Sequence, residues 1–342
     1  MKVRKRKRTS KLLIVPVLLI GILIASGGTY AAYMYAKVNT TLEQISVPSE
    51  PSERNQTVTM TTYNQDQQIE SVDKPLTFLL TAVDERAGSE GSLNTDVMML
   101  FSLNKTTKKA TIVSIPRDLE VTPEQSGLAE SHKANYFYAY NYNKNKKTAL
   151  QQTKLMYSRI YQVPIDYMAI INFEGFKQLV DELGGLQVNV DMDMKYTDTS
   201  DGTHIDLRKG EQLLSGSQTL DFIRYRKSNQ GTKESSDVAR NEREQAVLDQ
   251  ILDKLTSFRG VTAWSKLLEI IGKNVKTDMP VDELKALAAS YQEVKPETIH
   301  FIHLDGEWHS PYLVIPPTDL NQALNELKGH NTVAIDSFIR TD

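Results

Sequence analysis

Cysteine is absent from this 342-residue chain. That excludes a disulfide framework, a thiol nucleophile and any cysteine-ligated zinc. Several chemistry-bearing motifs are missing as well: there is no GxxxxGK[ST] phosphate loop, no GxGxxG, no GxSxG nucleophile elbow and no HExxH zinc pair. An SxxK, Ser102 to Lys105, falls on a polar turn and carries no chemistry there.

Positive charge is scarce once the first residues are set aside. The chain carries a net charge of −3, and Lys2, Arg4, Lys5, Arg6, Lys7, Arg8 and Lys11 account for seven of its cations, which leaves −10 on residues 12 to 342. So acidic a body is a poor nucleic-acid binder, and it must hold any anionic ligand with a local arginine cluster. The basic start is followed by an apolar run, Leu12 to Tyr35, with tyrosines at its outer end. That run is long enough to cross a bilayer, and the basic flank places the N-terminus inside and everything after Tyr35 outside. An uncleaved anchor fits better than a signal peptide, because the run is long and no small-x-small site precedes a polar start. Export without cysteine suits the outer face of a bacterial membrane.

Residues 36–74 are polar and rich in Ser, Thr, Gln, Asn and Glu, with Pro48 and Pro51, and read as an extracellular stalk. Thr57 to Tyr63 is a strand-like patch within it. Beyond this, the chain is organised around Thr95 to Asp118. Two apolar runs, Val97 to Leu103 and Ala110 to Ile115, flank the polar turn Asn104 to Lys109, which predicts a β-hairpin. Folding it brings Asp96 level with Arg117. A third run, Leu76 to Val83, stops at Asp84-Glu85-Arg86; if it lies parallel to Ala110–Ile115, then Asp84, Arg86, Asp96, Arg117 and Asp118 gather at one sheet edge. Open α/β sheets place their ligands at such an edge, and acid with arginine suggests a metal and a phosphate.

Further along, the tyrosines of HKANYFYAYNYNKN predict a strand face or a substrate-facing loop, serving as core or as a carbohydrate platform. Helical spacing marks Thr148 to Tyr161, and Tyr167 to Asn172 reads as a short buried strand. Phe173 to Leu183 is an amphipathic helix closed by Gly184-Gly185, followed by a strand at Leu186 to Val190 and an acidic loop at Asp191 to Asp206. A short helix or turn at Ser217 to Arg226 feeds an irregular loop. The helix from Asp237 carries Val247, Leu248, Ile251, Leu252 and Leu255 inward, capped by Ser235, Ser236 or Asp237. Arg240 and Arg243 continue that inward face at its N-terminal end, where the helix dipole disfavours cations and burial penalises an unpaired one. An anion explains them better than folding does; the structural alternative is a salt bridge to Glu244 or Asp237. With Arg86, Arg117, Arg224 and Arg226 they make six arginines suited to bidentate phosphate contacts. Two more helices, Ala263 to Ile271 and Val281 to Tyr291, a strand at Thr298 to Leu304 and a last helix at Asp319 to Leu327 complete the chain. His300 and His303 lie three apart on that strand and so face opposite sides, which disfavours a metal pair.

In order and spacing, VDER (Asp84, Arg86), TDVMML (Asp96), SIPRD (Arg117, Asp118), HKANYFYAY, FEGFKQLVDELGGLQVNV, GEQLLSGSQTLDFIRYR (Arg224, Arg226) and DVARNEREQ (Arg240, Arg243, Gln245) resemble the LytR-CpsA-Psr family of membrane-anchored cell-wall enzymes. The chain departs from that pattern at Ala82, Leu93–Val97, Val238–Ala239 and Asp221. The resemblance implies a three-layer α/β/α fold with a central mixed sheet behind an N-terminal transmembrane helix. In domain terms it implies a cytoplasmic tail (1–11), the anchor (12–35), the stalk (36–74), a catalytic domain (75–260) and a C-terminal part packed on it (261–342). It implies transfer of a glycopolymer, such as teichoic acid or capsule, from undecaprenyl pyrophosphate to peptidoglycan with Mg²⁺. Asp84 and Asp96 would hold the metal, and Arg86, Arg117, Arg224, Arg226, Arg240, Arg243 and Gln245 the pyrophosphate. Asp96, Arg117, Asp118 and Arg240 would serve catalysis. A non-catalytic, regulatory polyprenyl-pyrophosphate-binding protein is the alternative.

Overall fold

A computed structural model describes residues 11–47, 74–84, 93–199, 202–257 and 261–329. The elements run α1 (Lys11–Ile45), β1 (Leu76–Val83), β2 (Thr95–Asn104), β3 (Lys109–Ser114), β4 (Glu120–Val121), α2 (Pro123–Ser126), β5 (His132–Lys133), a 3₁₀ turn at Ala134–Tyr136, and α3 (Phe137–Lys144). Next come α4 (Ala149–Tyr161), β6 (Tyr167–Asn172), α5 (Phe173–Glu182), β7 (Leu186–Val190), β8 (Met194–Asp198), β9 (Thr203–Leu207), β10 (Gly210–Leu214), α6 (Gly216–Arg224) and α7 (Asp237–Ser257). The chain ends in α8 (Val261–Asn274), β11 (Val275–Thr277), α9 (Val281–Ala289), α10 (Tyr291–Val294), β12 (Thr298–His303), β13 (Glu307–His309), β14 (Tyr312–Val314) and α11 (Pro317–Leu327).

The central sheet is mixed, with strand order β11-β6-β1-β2-β3-β12. The expected hairpin forms its middle: β2 and β3 pair from Met99↔Ser114 to Asn104↔Lys109, and the Asn104 side chain accepts the backbone N–H groups of Thr106 and Thr107 at 3.0 and 2.8 Å to close the turn. β1 is antiparallel to β2 and parallel to β6, and β12 is parallel to β3. β1 and β3 therefore run the same way with β2 between them, and the C-terminal ends of β1, β3, β6 and β12 share one edge with the start of β2. The C-terminal part belongs to this same unit, since it supplies both outer strands.

Alternation along the strands assigns the two faces. One is dry: Leu79, Val83, Met98, Leu100 and Val113 pack on Phe137, Leu150, Tyr157, Ile160, Leu324 and Leu327 of α3, α4 and α11. The other carries Leu76, Phe78, Leu80 and Ala82, each only part-buried, with Phe78 against Phe101 and Tyr167 at 5.9 and 5.8 Å. On this second side, α7 meets the sheet through Ser114 and His303. A further apolar cluster joins α5, α6 and α7 to β7, β8, β9 and β10 through Val180, Leu186, Met194, Leu214, Phe222 and Val247.

Three stretches differ from expectation. The tyrosine-rich segment is helical: Phe137 and Tyr138 enter the core, and Asn141 donates to the Phe137 carbonyl and to Thr153 Oγ1 at 3.0 and 3.1 Å, contacts that a strand cannot make. The acidic stretch after Val190 is a hairpin, β8–β9, with Ile205 and Leu207 buried. The start of the expected stalk is not a free spacer. α1 extends to Ile45 and docks on α8 and β11: Tyr33 bonds Ser265 at 2.9 Å, Thr41 donates to the Leu268 carbonyl at 3.3 Å, and Val47 N–H donates to the Thr277 carbonyl at 2.8 Å. Thr57 to Tyr63 lies outside the described residues. So do the side chains of residues 11–27, which carry most of the apolar run. Among the described residues no helix is long and apolar enough to cross a membrane.

Candidate active site

The charged edge is built by ordinary local rules. Between Ala82↔Val97 and Val83↔Thr95 the register slips, which makes Asp96 the extra residue of a β-bulge. A bulge re-aims a side chain, and here the carboxylate meets Arg117 Nη1 at 2.7 Å, as folding the hairpin required. Asp118 is the hub of the edge: Lys133 Nζ donates to one oxygen at 2.8 Å, while Arg226 Nη2 and Arg117 Nε reach the other at 3.0 and 3.4 Å. Burial pushes the Asp118 carboxyl up, but Lys133, Arg117 and Arg226 outweigh it and hold the pKa at about 2.

α6 delivers two more arginines. Ser215 and Gln218 form a capping box at its start. A Cβ at Gly216 would stand 2.1 Å from the Lys177 carbonyl oxygen, so only glycine lets α6 begin this close to α5. At the other end Tyr225 leaves the helix in an extended conformation and buries its ring, and this sets Arg224 and Arg226 on the same outer side. Arg224 lies over the Phe173 ring at 5.1 Å and 3.9 Å from Asp84. α7 adds Arg240, with Ser236 Oγ capping the helix by accepting the Ala239 N–H at 3.1 Å. Burial and the neighbouring cations Arg226 and Arg117 push the Arg240 pKa down to about 10.

These groups enclose one cavity of about 240 Å³, which Asp96, Arg117, Asp118, Arg224, Arg226, Arg240 and Glu244 line on its polar side. Val97, Met98, Ile115, Ile223, Leu304 and Leu313 line the rest, with Trp308 at the mouth. Four arginines against three carboxylates in so small a space is an anion receptor with an apolar wall.

Arg243 is not part of it. Its Nε and Nη2 fork onto both oxygens of Asp191 at 2.7 Å each, its side chain is 2% exposed, and it faces Phe222 and Tyr225. Residues three apart on a helix point about 60° away from each other, and that angle turns Arg243 toward the small β layer and leaves Arg240 in the cavity. Gln245 also sits elsewhere, 3.5 Å from His303. His300 meets Glu326 of α11, so the two histidines do face opposite sides. Arg86 lies outside the described residues. Sequence reasoning missed Lys133 and Trp308, and it named Glu244 only as a salt-bridge partner for the arginines. Glu244 is one turn beyond Arg240, so helical spacing places it on the same cavity; it accepts from Ser114 Oγ at 3.1 Å, and burial raises its pKa. Lys133 sits inside the HKANYF stretch and covers Trp308 at 5.5 Å.

An arginine-lined anion cavity with an apolar wall, at the strand ends of a mixed α/β sheet, is a site for an anionic headgroup on an apolar chain. The sequence matches the LytR_cpsA_psr family over residues 32–329, and this protein belongs to that family. It is 31% identical to the polyisoprenyl-teichoic acid–peptidoglycan teichoic acid transferase TagU of Bacillus licheniformis over 90% of each chain. Identity to the Bacillus cereus protein of the same name is 30%, over 91% of this chain and 95% of that one. Among solved structures, that of Bacillus subtilis TagV is similar, with a TM-score of 0.57, 25% identity, and coverage of 75% of this chain and 97% of the other.

Proposed function

We propose that this protein transfers a glycopolymer of the teichoic-acid or capsule type from a polyisoprenyl-pyrophosphate carrier, undecaprenyl pyrophosphate, to peptidoglycan. The observation that carries the reading is the convergence of Arg117, Arg224, Arg226 and Arg240, in excess over Asp96, Asp118 and Glu244, on one cavity that also has an apolar wall. The relatives named for this reaction, similar over nine-tenths of the chain, support it. Pyrophosphate oxygens take planar, bidentate contacts from arginine, and the part-buried strip of Leu76, Phe78, Leu80 and Ala82 on the second sheet face offers apolar cover to the polyisoprenyl chain.

A hydroxyl of the acceptor attacks the phosphorus next to the polymer, a new P–O bond forms, the bridging P–O bond breaks, and polyisoprenyl phosphate leaves with the negative charge. The fixed arginines stabilise that charge as it develops. Asp118, held at about 2 by three cations, is too weak a base to take the hydroxyl proton; it positions Arg117 and Arg226. Asp96 or Asp84 receives the proton.

Asp84 and Asp96 stand at neighbouring strand ends, and among the described residues no cluster of three or more acidic or histidine side chains makes a complete metal cage. Two carboxylates completed by phosphate oxygens and water suit Mg²⁺, which rarely takes an all-protein site. Bound there, Mg²⁺ would neutralise pyrophosphate charge. We also assign α1 to the membrane. Its backbone is helical from Lys11, its sequence is apolar from Leu12 to Tyr35, and its far end is docked on α8, so the domain would stand on the outer surface on a rigid support.

Full-length protein in detergent, given a synthetic polyprenyl-pyrophosphate-linked disaccharide, Mg²⁺ and uncross-linked peptidoglycan strands, is expected to release polyprenyl phosphate and label the strands. Asp96→Ala and Arg117→Ala should abolish both without loss of fold. A wild-type protein that binds the donor tightly yet transfers nothing would establish the regulatory alternative.

A further inference from the structure

A second cavity, about 200 Å³, shares Arg224 and Arg226 with the first. Its other walls are Tyr196, Asp198, Thr203 and Ile205 of the β8–β9 hairpin, Asp221 of α6, and Lys227. The hairpin is fastened to the segment after α6: Ser228 Oγ donates to the Lys195 carbonyl at 2.8 Å, Asn229 Nδ2 to the Thr197 carbonyl at 2.6 Å, and Thr197 N–H to Asn229 Oδ1 at 3.0 Å. The cleft is thus a braced element with little freedom to collapse.

Asp221 is its most telling residue. Among the described residues no hydrogen bond or ion pair closes on this half-buried carboxylate, and burial raises its pKa to about 6 against the pull of Arg224 on its own helix, His204 on β9 and Lys177 on α5. A carboxylate withdrawn from water without a protein donor costs folding energy, which a ligand bringing its own donors repays. The ligand class follows from the walls. With Arg224 and Arg226 turned to the pyrophosphate, Asp198 and Asp221 outnumber Lys227 and disfavour a second phosphate, whereas a neutral polyhydroxyl finds acceptors in those carboxylates, a donor in Lys227 and a ring face in Tyr196.

Direction follows from the chemistry proposed above, on which this reading rests. In displacement at phosphorus the attacking and leaving oxygens lie roughly in line. The apolar wall of Val97, Met98, Ile115 and Leu304 puts the departing lipid on the side of the first cavity, and the shared arginines put the phosphorus at the boundary. The attacking hydroxyl then comes from the second cavity. We infer that the cleft between the β8–β9 hairpin and α6 is the subsite for the acceptor saccharide, with Asp221 accepting hydrogen bonds from its hydroxyls and so setting acceptor specificity.

The test separates the two substrates kinetically, using full-length protein in detergent with the same lipid-linked disaccharide as donor and uncross-linked peptidoglycan strands as acceptor. Losing a hydrogen bond to a charged group should raise the acceptor KM of Asp221→Ala by about tenfold, with the donor KM within about twofold of wild type. In wild type the acceptor KM should climb as pH falls below about 6, and Asp221→Asn should flatten that profile. An unchanged acceptor KM in Asp221→Ala, or a donor KM that rises with it, overturns the assignment while leaving the transferase reading intact. A wild type that binds donor and transfers to no acceptor overturns both.

Discussion

Arg240 and Arg243 stand one turn apart on α7 and live in opposite surroundings. The protein supplies the counter-charge of Arg243 itself, through a two-pronged contact with Asp191 and the rings of Phe222 and Tyr225. Around Arg240 the carboxylates Glu244 and Asp118 are outweighed by burial and by the cations Arg226 and Arg117, which together push its pKa down. One guanidinium contributes to folding, and the other is held at a cost that an anion offsets. Residue type and helical position are nearly the same for both; the difference lies in what the rest of the fold brings opposite.

The largest effect should fall on activity at Arg240. Removing one preorganised donor to a developing oxyanion typically costs about a hundredfold or more in rate, and Arg240→Ala should do so in the transfer assay while urea denaturation shows stability equal to or above wild type. Arg243→Ala should invert the pattern. It removes a buried guanidinium and its fork onto Asp191, whose own side chain is 37% exposed, and losing such charge-assisted hydrogen bonds costs about 1.5–3 kcal/mol, visible in the urea midpoint, with the folded fraction still active. Arg243→Lys should recover only part of the loss, because an ammonium cannot form the fork.

Two smaller effects follow from pH. Asp118 has its pKa lowered by its cations, so its contribution is present above the ordinary aspartate value near 3.8 and is lost as pH falls through about 2. Asp118→Asn should remove about 1–2 kcal/mol of stability at neutral pH and flatten the acid limb of the stability curve in that window. Asp221 has the opposite sign: its folded pKa is raised to about 6, so its ionisation cost is fully present above pH 6 and absent below pH 3.8. Asp221→Asn should therefore stabilise the protein by about 1 kcal/mol above pH 6 and by nothing in acid.

The same contrast explains how much was legible beforehand. Asp96 opposite Arg117 could be read from the sequence because a hairpin has a period of two and a short turn fixes its register. Asp84, Arg224, Arg226 and Arg240 followed from strand ends and helical spacing, as did most of α4 to α7. The partner of Arg243 lies 52 residues away, in a stretch whose acidity hides its buried Ile205 and Leu207 and so reads as loop. The tyrosines at alternate positions mimic a strand, and only the packing of Phe137 and Tyr138 on α4 shows a helix. Trp308 reaches the cavity mouth on a hairpin of two three-residue strands, too short to leave a periodic trace.

The most direct measurement is the affinity of full-length protein for a polyprenyl pyrophosphate, compared between wild type, Arg240→Ala and Arg243→Ala at a pH and temperature where all three are folded. The account predicts that Arg240→Ala weakens binding by about tenfold or more, the loss of a charge-assisted contact, while Arg243→Ala binds within about threefold of wild type. Equal affinity in wild type and Arg240→Ala, or the larger loss at Arg243, would contradict it.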